Sequence, residues 1–250
     1  MTGAQIAQFL INELIAGILK FGLLAIPVLL VIGFVTGQYN ADRTSRIPRP
    51  FKMTTSFILV LYAGALWLDR SWSAGLAIFW GMACGFLGDL ILAEIIRLPH
   101  RLIFGIITFG IGHIFYITSF VSIALGFGLH DPFGGTVLWA IFVIIASVLW
   151  IALIYNPKQT RLLNVGSLLY AWLISVMAAT ATSQAIQAIG EPHFILTAIG
   201  GILFLVSDLI LGNRELRGHK WYLVNDIVWI IYITGQTLIV MTSMWLDIRI

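Results

Sequence analysis

At 250 residues the chain is long enough for one domain or two, but it is 60% hydrophobic and only 10% charged, against about a quarter charged in an ordinary soluble domain. That much apolar surface cannot be hidden in a water-soluble fold of this size, so the composition predicts an all-α polytopic membrane protein, with residues 1–250 forming one integral membrane domain. The net charge of +3 is no sign of nucleic-acid binding, because the basic residues sit between apolar runs rather than along one face.

The N-terminus lacks a basic n-region and a small-residue cleavage site, so no removable signal peptide is expected and the first span should serve as its own insertion signal. The apolar runs are far longer than the ~10-residue alternating strands of a membrane barrel, and only helices or closed barrels satisfy their backbone groups in lipid. The sequence predicts eight helices, roughly 12–36, 54–70, 73–96, 102–126, 135–155, 161–187, 193–212 and 222–246. The first carries Glu13 and Lys20 near its start and Pro27 as a source of a kink; the second is short and nearly perpendicular to the membrane. Cys84, the single cysteine, excludes a disulfide framework and a thiolate metal cluster.

The loops decide the orientation. Arg43, Arg46, Arg49, Lys52, Arg97, Arg101, Lys158, Arg161, Arg214, Arg217 and Lys220 fall at one side, against Arg70, Arg249 and Lys20 at the other. The bias places both termini on the non-cytoplasmic side, in a plasma (inner) membrane.

Two spans repeat a phrase. Cys84-Gly85-Phe86-Leu87-Gly88-Asp89-Leu90-Ile91-Leu92 is answered by Val206-Ser207-Asp208-Leu209-Ile210-Leu211, and the two aspartates lie 119 positions apart. A carboxylate inside a membrane-length apolar run is costly and is a functional candidate by default. Both stand on helices running outward to inward, eight residues before Arg97 and six before Arg214, so their depths should match within ~3 Å. The repeat fits two parallel four-helix halves; chance likeness of Leu/Ile-rich spans is the plainer alternative.

Other polar groups fall in stripes. Gly105, Phe109, His113, Tyr116 and Phe120 share a face of the fourth helix, and Asn225, Trp229, Tyr232 and Gln236 one of the eighth. Tyr170 and Met177 share a face of the sixth. These stripes should turn inward and enclose a cavity with two carboxylates, an imidazole, two phenols and an amide. His113 and Gln236 taken singly read equally well as interhelical glue, and Tyr170 with Met177 as packing. Asp226 is expected to pair with Lys220 or Arg217, and Glu94 with Arg97 or Arg101. No Lys or Arg lies deep enough in a span to neutralise both Asp89 and Asp208.

Several chemistries drop out. Only His113 of the five histidines lies deep in a span, too few for an intramembrane zinc hydrolase. There is no G-x-S-x-G elbow, the aspartates lack the flanking pattern of presenilin-like proteases, and no phosphate-cradling or dinucleotide glycine loop occurs.

Taken together, the motifs resemble those of the YhhN family of lysoplasmalogenase-like membrane proteins, over about residues 49–242. They are Gly88-Asp89-x-x-Leu92, Gly105-x-x-x-Phe109-x-x-x-His113-x-x-Tyr116, Tyr170 with Met177, Leu203-Phe204-x-x-Ser207-Asp208 and Tyr232-x-x-x-Gln236. The family's Lys-Pro-Leu-like phrase reads here as Arg49-Pro50-Phe51-Lys52-Met53. The resemblance implies an eight-helix hydrolase that cleaves the vinyl-ether bond of lysoplasmalogens to a fatty aldehyde and a glycerophospho-base.

Vinyl ethers hydrolyse by protonation of the outer alkene carbon, capture of the oxocarbenium ion by water and collapse of the hemiacetal. Two neighbouring carboxylates in a dry site suit this, one protonated as acid and one anionic. Asp208 is the preferred acid and Asp89 the base, although the proton belongs to the pair. His113, Tyr116, Tyr170, Ser207, Tyr232 and Gln236 would orient water or substrate, and Arg49 or Lys52 would hold the headgroup phosphate. No metal or cofactor is required, and the partners expected are a lysophospholipid-type substrate and membrane lipids, with no nucleic acid; the oligomeric state is not legible. A proton-coupled carrier and a non-catalytic lipid-binding protein are the alternatives.

Overall fold

The computed structural model describes residues 3–70 and 73–244, which form eight helices long and apolar enough to cross a membrane, and among the described residues there is no strand. They are α1 (Gly3–Thr36), α2 (Arg49–Arg70), α3 (Ser73–Leu92), α4 (Arg101–Gly126), α5 (Pro132–Leu153), α6 (Arg161–Gln187), α7 (Pro192–Arg217) and α8 (Val224–Met241), the last followed by a 3-10 turn at Thr242–Met244. The end of the eighth span and Arg249 lie outside the described residues.

Four boundaries differ from the sequence expectation by four residues or more, and two of them have a polar cause. The first span begins at residue 3 rather than 12 and runs unbroken through Pro27. At about 50 Å it exceeds the hydrocarbon core. α2 begins five residues earlier than expected, because Arg49, Lys52 and Thr55 form a polar first turn and a half that a hydropathy reading trims away. For the same reason α7 continues past Gly212 through Asn213, Arg214, Glu215 and Arg217, ending in a left-handed Gly218. α3, by contrast, stops at Leu92 instead of 96, and a turn follows in which Glu94 takes a positive φ of 60°.

Helix packing follows two series. α1 lies on α2, α2 on α3 and α3 on α4; then α5 lies on α6, α6 on α7 and α7 on α8. The series are joined where α4 meets α6 and where α8 meets α2, so each of these contacts has a counterpart four helices on, whereas the smaller contacts of α5 with α7 and of α3 with α8 break the pattern. That pattern matches two four-helix halves, with Asp89 on α3 and Asp208 on α7 in corresponding places.

The buried faces obey helical spacing. On α2 they are Lys52, Ser56, Leu59, Ala63 and Leu66; on α4 the expected stripe of Gly105, Phe109, His113, Tyr116 and Phe120 is all buried. α1 and α5 are the peripheral helices, and Ala146 is the one buried residue of α5. α3 approaches its neighbours closely through glycine: a Cβ on Gly81 would sit 2.4 Å from the Tyr116 ring, which is fully enclosed. Gly81→Ala should therefore overpack the α3–α4 contact and cost about 1–3 kcal/mol, read as a lowered unfolding temperature in detergent. An unchanged transition would show that Tyr116 has room to shift.

Candidate active site

The basic ends of the helices and the loops between them gather at one end of the bundle, and from there a cavity of about 520 Å³ descends into the core. Arg46, Arg49, Lys52, Arg101 and Arg214 stand along it, and Asp89, Asp208, Phe109 and Tyr232 line its inner part. The two aspartates thus open into the same space, although 119 residues separate them. Neither forms an ion pair with Lys, Arg or His among the described residues.

Hydroxyl groups take the place of cations. Asp89 Oδ2 accepts from Ser56 Oγ on α2 at 2.6 Å and from Tyr232 Oη on α8 at 3.0 Å. Tyr232 in turn accepts from Gln236 Nε2 at 3.3 Å, and Gln236 Oε1 accepts from Tyr116 Oη at 2.7 Å. The chain of donors runs from α4 through α8 to the carboxylate on α3. It passes beside Gly85, where a Cβ would sit 2.9 Å from Gln236 Nε2.

A second chain ends at Asp208. Tyr170 Oη on α6 donates to Asp208 Oδ2; Ser207 Oγ lies 3.3 Å from Oδ1, but its proton goes to the Phe204 carbonyl at 2.7 Å. His113 Nε2 lies 3.1 Å from Tyr170 Oη. Because the one phenolic proton of Tyr170 points to Asp208, His113 Nε2 must carry the proton of that bond, which leaves Nδ1 as a buried acceptor with no hydrogen-bond partner. His113 and Tyr232 are themselves 119 positions apart, the spacing of the aspartates. Each aspartate is therefore served by a residue from the same place in the opposite half: Tyr232 directly on Asp89, and His113 through Tyr170 on Asp208.

The sequence-derived residues separate into two groups. Asp89, Asp208, His113, Tyr116, Tyr170, Tyr232 and Gln236 all belong to the two networks, and Ser207 stands beside Asp208 with its proton on the Phe204 carbonyl. Arg49 and Lys52 stand on the cavity wall nearer the basic end. Arg49 is exposed, whereas the Lys52 ammonium is held by Asp226 at 2.8 Å and also donates to Ser45 Oγ and the Asn225 carbonyl.

One of the two expected pairings requires correction. Asp226 pairs with neither Lys220 nor Arg217: Lys220 binds Asp42 at 2.6 Å, and Arg217 donates to the carbonyls of Ile151 and Ala152 in the last turn of α5 and of Tyr155 just after it. The early start of α2 is what brings Lys52 within reach of Asp226. Glu94 pairs with Arg101 at 3.3 Å, as one of the two expected partners.

Sequence reasoning missed Ser56, a fully buried hydroxyl and the closest partner of Asp89. Serines are too common in membrane helices to single one out, and the underestimated start of α2 put it at the edge of a span. Sequence reasoning also used Arg214 only to mark topology and depth, and Arg101 only for topology and as a partner of Glu94. Both line the cavity, where Glu215 bridges them.

The family profile described as the YhhN family matches residues 49–243. The chain belongs to the YhhN family. The matched segment holds every residue of the two carboxylate networks, while α1 and the loop after it lie outside the YhhN match. Neither the curated proteins nor the solved structures contain a match to the chain.

Proposed function

We propose that the protein is a membrane lipid hydrolase that cleaves the vinyl-ether bond of lysoplasmalogens, using Asp89 and Asp208 as a general acid/base pair. The observation that carries this reading is the cavity itself: two carboxylates without a counter-cation open into one space and are held by neutral donors. Two such groups close together favour a state with one shared proton, and a vinyl ether needs both a proton donor and an anion facing the developing positive charge.

The substrate's headgroup lies toward the basic end of the cavity. Arg49, exposed and facing the cavity, is the group best placed to meet a phosphate, since Lys52 is engaged with Asp226 and Arg214 with Glu215 and Asn225. The basic end faces the cytoplasm by the loop-charge bias, which leaves both termini outside in a plasma (inner) membrane. Among the described residues there is no group of three or more His, Cys, Asp or Glu side chains that could hold a metal ion.

The test is direct. Purified protein in lipid nanodiscs is given an alkenyl lysophospholipid, and free fatty aldehyde is measured alongside the saturated alkyl-ether analogue as an uncleavable control. Aldehyde from the alkenyl lipid alone is the expected result; no aldehyde above an empty-nanodisc control sinks the proposal. Uptake without product into proteoliposomes would instead favour the carrier. That reading has less support, because carriers of this kind break their helices at the binding site, whereas α3 and α7 run unbroken past Asp89 and Asp208.

A further inference from the structure

Beside the polar cavity lies a second space, an apolar slot enclosed by α4, α5, α6 and α7. Its walls are mostly aliphatic. Small residues make the room, above all Gly105 on α4, Ala146 on α5 and Ala171 on α6. The slot and the cavity share Leu92, Phe109, Asp208, Leu211 and Glu215. Asp208 and its partner Tyr170 stand on the wall of the slot; Asp89 does not. The two carboxylates, alike in sequence context, therefore differ in surroundings: Asp208 sits where an apolar and a polar space join, and Asp89 faces the polar space alone.

The outer wall of the slot is α5, which presents its single buried residue, Ala146, to the slot and its other faces largely to the bilayer. Ser167, a hydroxyl on the wall, is already satisfied, accepting from Trp150 Nε1 at 3.0 Å and donating to the Asn164 carbonyl at 2.9 Å. Apart from Ser175 Oγ, which has no hydrogen-bond partner, and Tyr170 and Asp208 where the slot meets the cavity, the lining is mostly aliphatic, so its chemistry suits hydrocarbon.

We propose that the slot between α4, α5, α6 and α7 holds the single hydrocarbon chain of the substrate, and that this sets Asp208 beside the outer alkene carbon and Asp89 beside the ether side. The inference rests on the vinyl-ether reading and adds the direction in which the lipid lies. In a vinyl ether the carbon that receives the proton is the one continuous with the tail, so the carboxyl next to the tail slot delivers it. The alkene electron pair takes the Asp208 proton to form the new C–H bond as the O–H bond breaks, leaving that pair on the carboxylate, and a lone pair of the ether oxygen makes the carbon–oxygen double bond of the oxocarbenium ion. Water adds to that carbon and gives a proton to Asp89. On collapse, Asp89 returns this proton to the departing glyceryl oxygen, and the hemiacetal hydroxyl gives its proton to Asp208. One water is consumed, one aldehyde and one alcohol leave, and both carboxyls regain their starting states.

The test has two arms. In the first, the wild-type protein in nanodiscs is photolysed with a saturated, uncleavable ether lysophospholipid carrying a diazirine near the tail end. The expected result is labelling of α5 and α6 around Ala146 and Ala171, suppressed by excess unlabelled lipid; labelling of α1 and α2 instead overturns the proposal. In the second, Ala146→Phe and Ala171→Phe narrow the slot from two helices, so that one remains informative if the other fails to fold. Each should lower kcat/KM for a long-chain alkenyl lipid at least about 10-fold more than for a short-chain one. Equal effects on both chain lengths, or none, overturn it. If the wild type releases no aldehyde at all, the hydrolase reading fails while the labelling arm still decides whether the slot binds a chain.

Discussion

Asp208→Asn and Asp89→Asn should each lower the rate of aldehyde release by about 10²–10⁴-fold, the usual worth of a positioned general acid or base, while leaving the protein folded and able to bind an uncleavable ether lipid. The argument is one of shape and charge. An asparagine fills the volume of the aspartate, and its carbonyl can still accept from Tyr170 at position 208, or from Ser56 and Tyr232 at position 89. What it cannot do is carry or receive the reacting proton. Since neither carboxylate is matched by a cation, neutralising it leaves no opposite charge stranded, so the unfolding temperature should hold or rise. Tyr170→Phe is the informative companion. It removes the phenol that joins His113 to Asp208, so activity should fall by about 10-fold, less than for the aspartates. Activity that survives both Asp→Asn changes would move the chemistry elsewhere and leave the cavity as a binding site.

Much of this site could be read from the chain because membrane burial makes polar residues conspicuous. Asp89 and Asp208 stood out against apolar runs, and the spacing of His113, Tyr116, Tyr232 and Gln236 placed them on inward faces, where the structure has them. Helix number followed from length and hydropathy alone. The parts that stayed hidden depend on which helix lies beside which. That α6 stands between α4 and α7, so that Tyr170 bridges His113 to Asp208, is set by packing rather than by any local pattern. The role of Ser56 required knowing that α2 lies against α3. The polar first turn of α2 and last turns of α7 were legible as charge but not as helix, since both protrude beyond the hydrophobic stretch. It was this trimming that hid the Lys52–Asp226 pair.

That pair carries the second large effect, on stability rather than rate. Asp226 is a hub at the start of α8: besides Lys52 at 2.8 Å it accepts from the backbone N–H of Arg46 at 2.5 Å, from Ser45 Oγ at 2.8 Å and, more weakly, from the N–H of Ile47. Next to it, Leu223 N–H donates to the Arg43 carbonyl and Asn225 N–H to that of Thr44. Five consecutive loop residues are thereby fastened to one helix end, on the wall of the cavity. Asp226→Ala should cost about 3–5 kcal/mol, because it strands a buried ammonium along with the loop donors, and should appear as a large drop in unfolding temperature. Lys52→Met should cost less, because Asp226 keeps its hydroxyl and amide donors. The double change Lys52→Met with Asp226→Leu separates two descriptions of the same contact. A simple buried ion pair can often be replaced by apolar residues at no loss, whereas a carboxylate that terminates backbone donors cannot, since each orphaned group costs about 1–3 kcal/mol. The double variant is therefore expected to stay well below the wild type in unfolding temperature. Full recovery would show that the loop is held by other contacts and that Asp226 serves Lys52 alone.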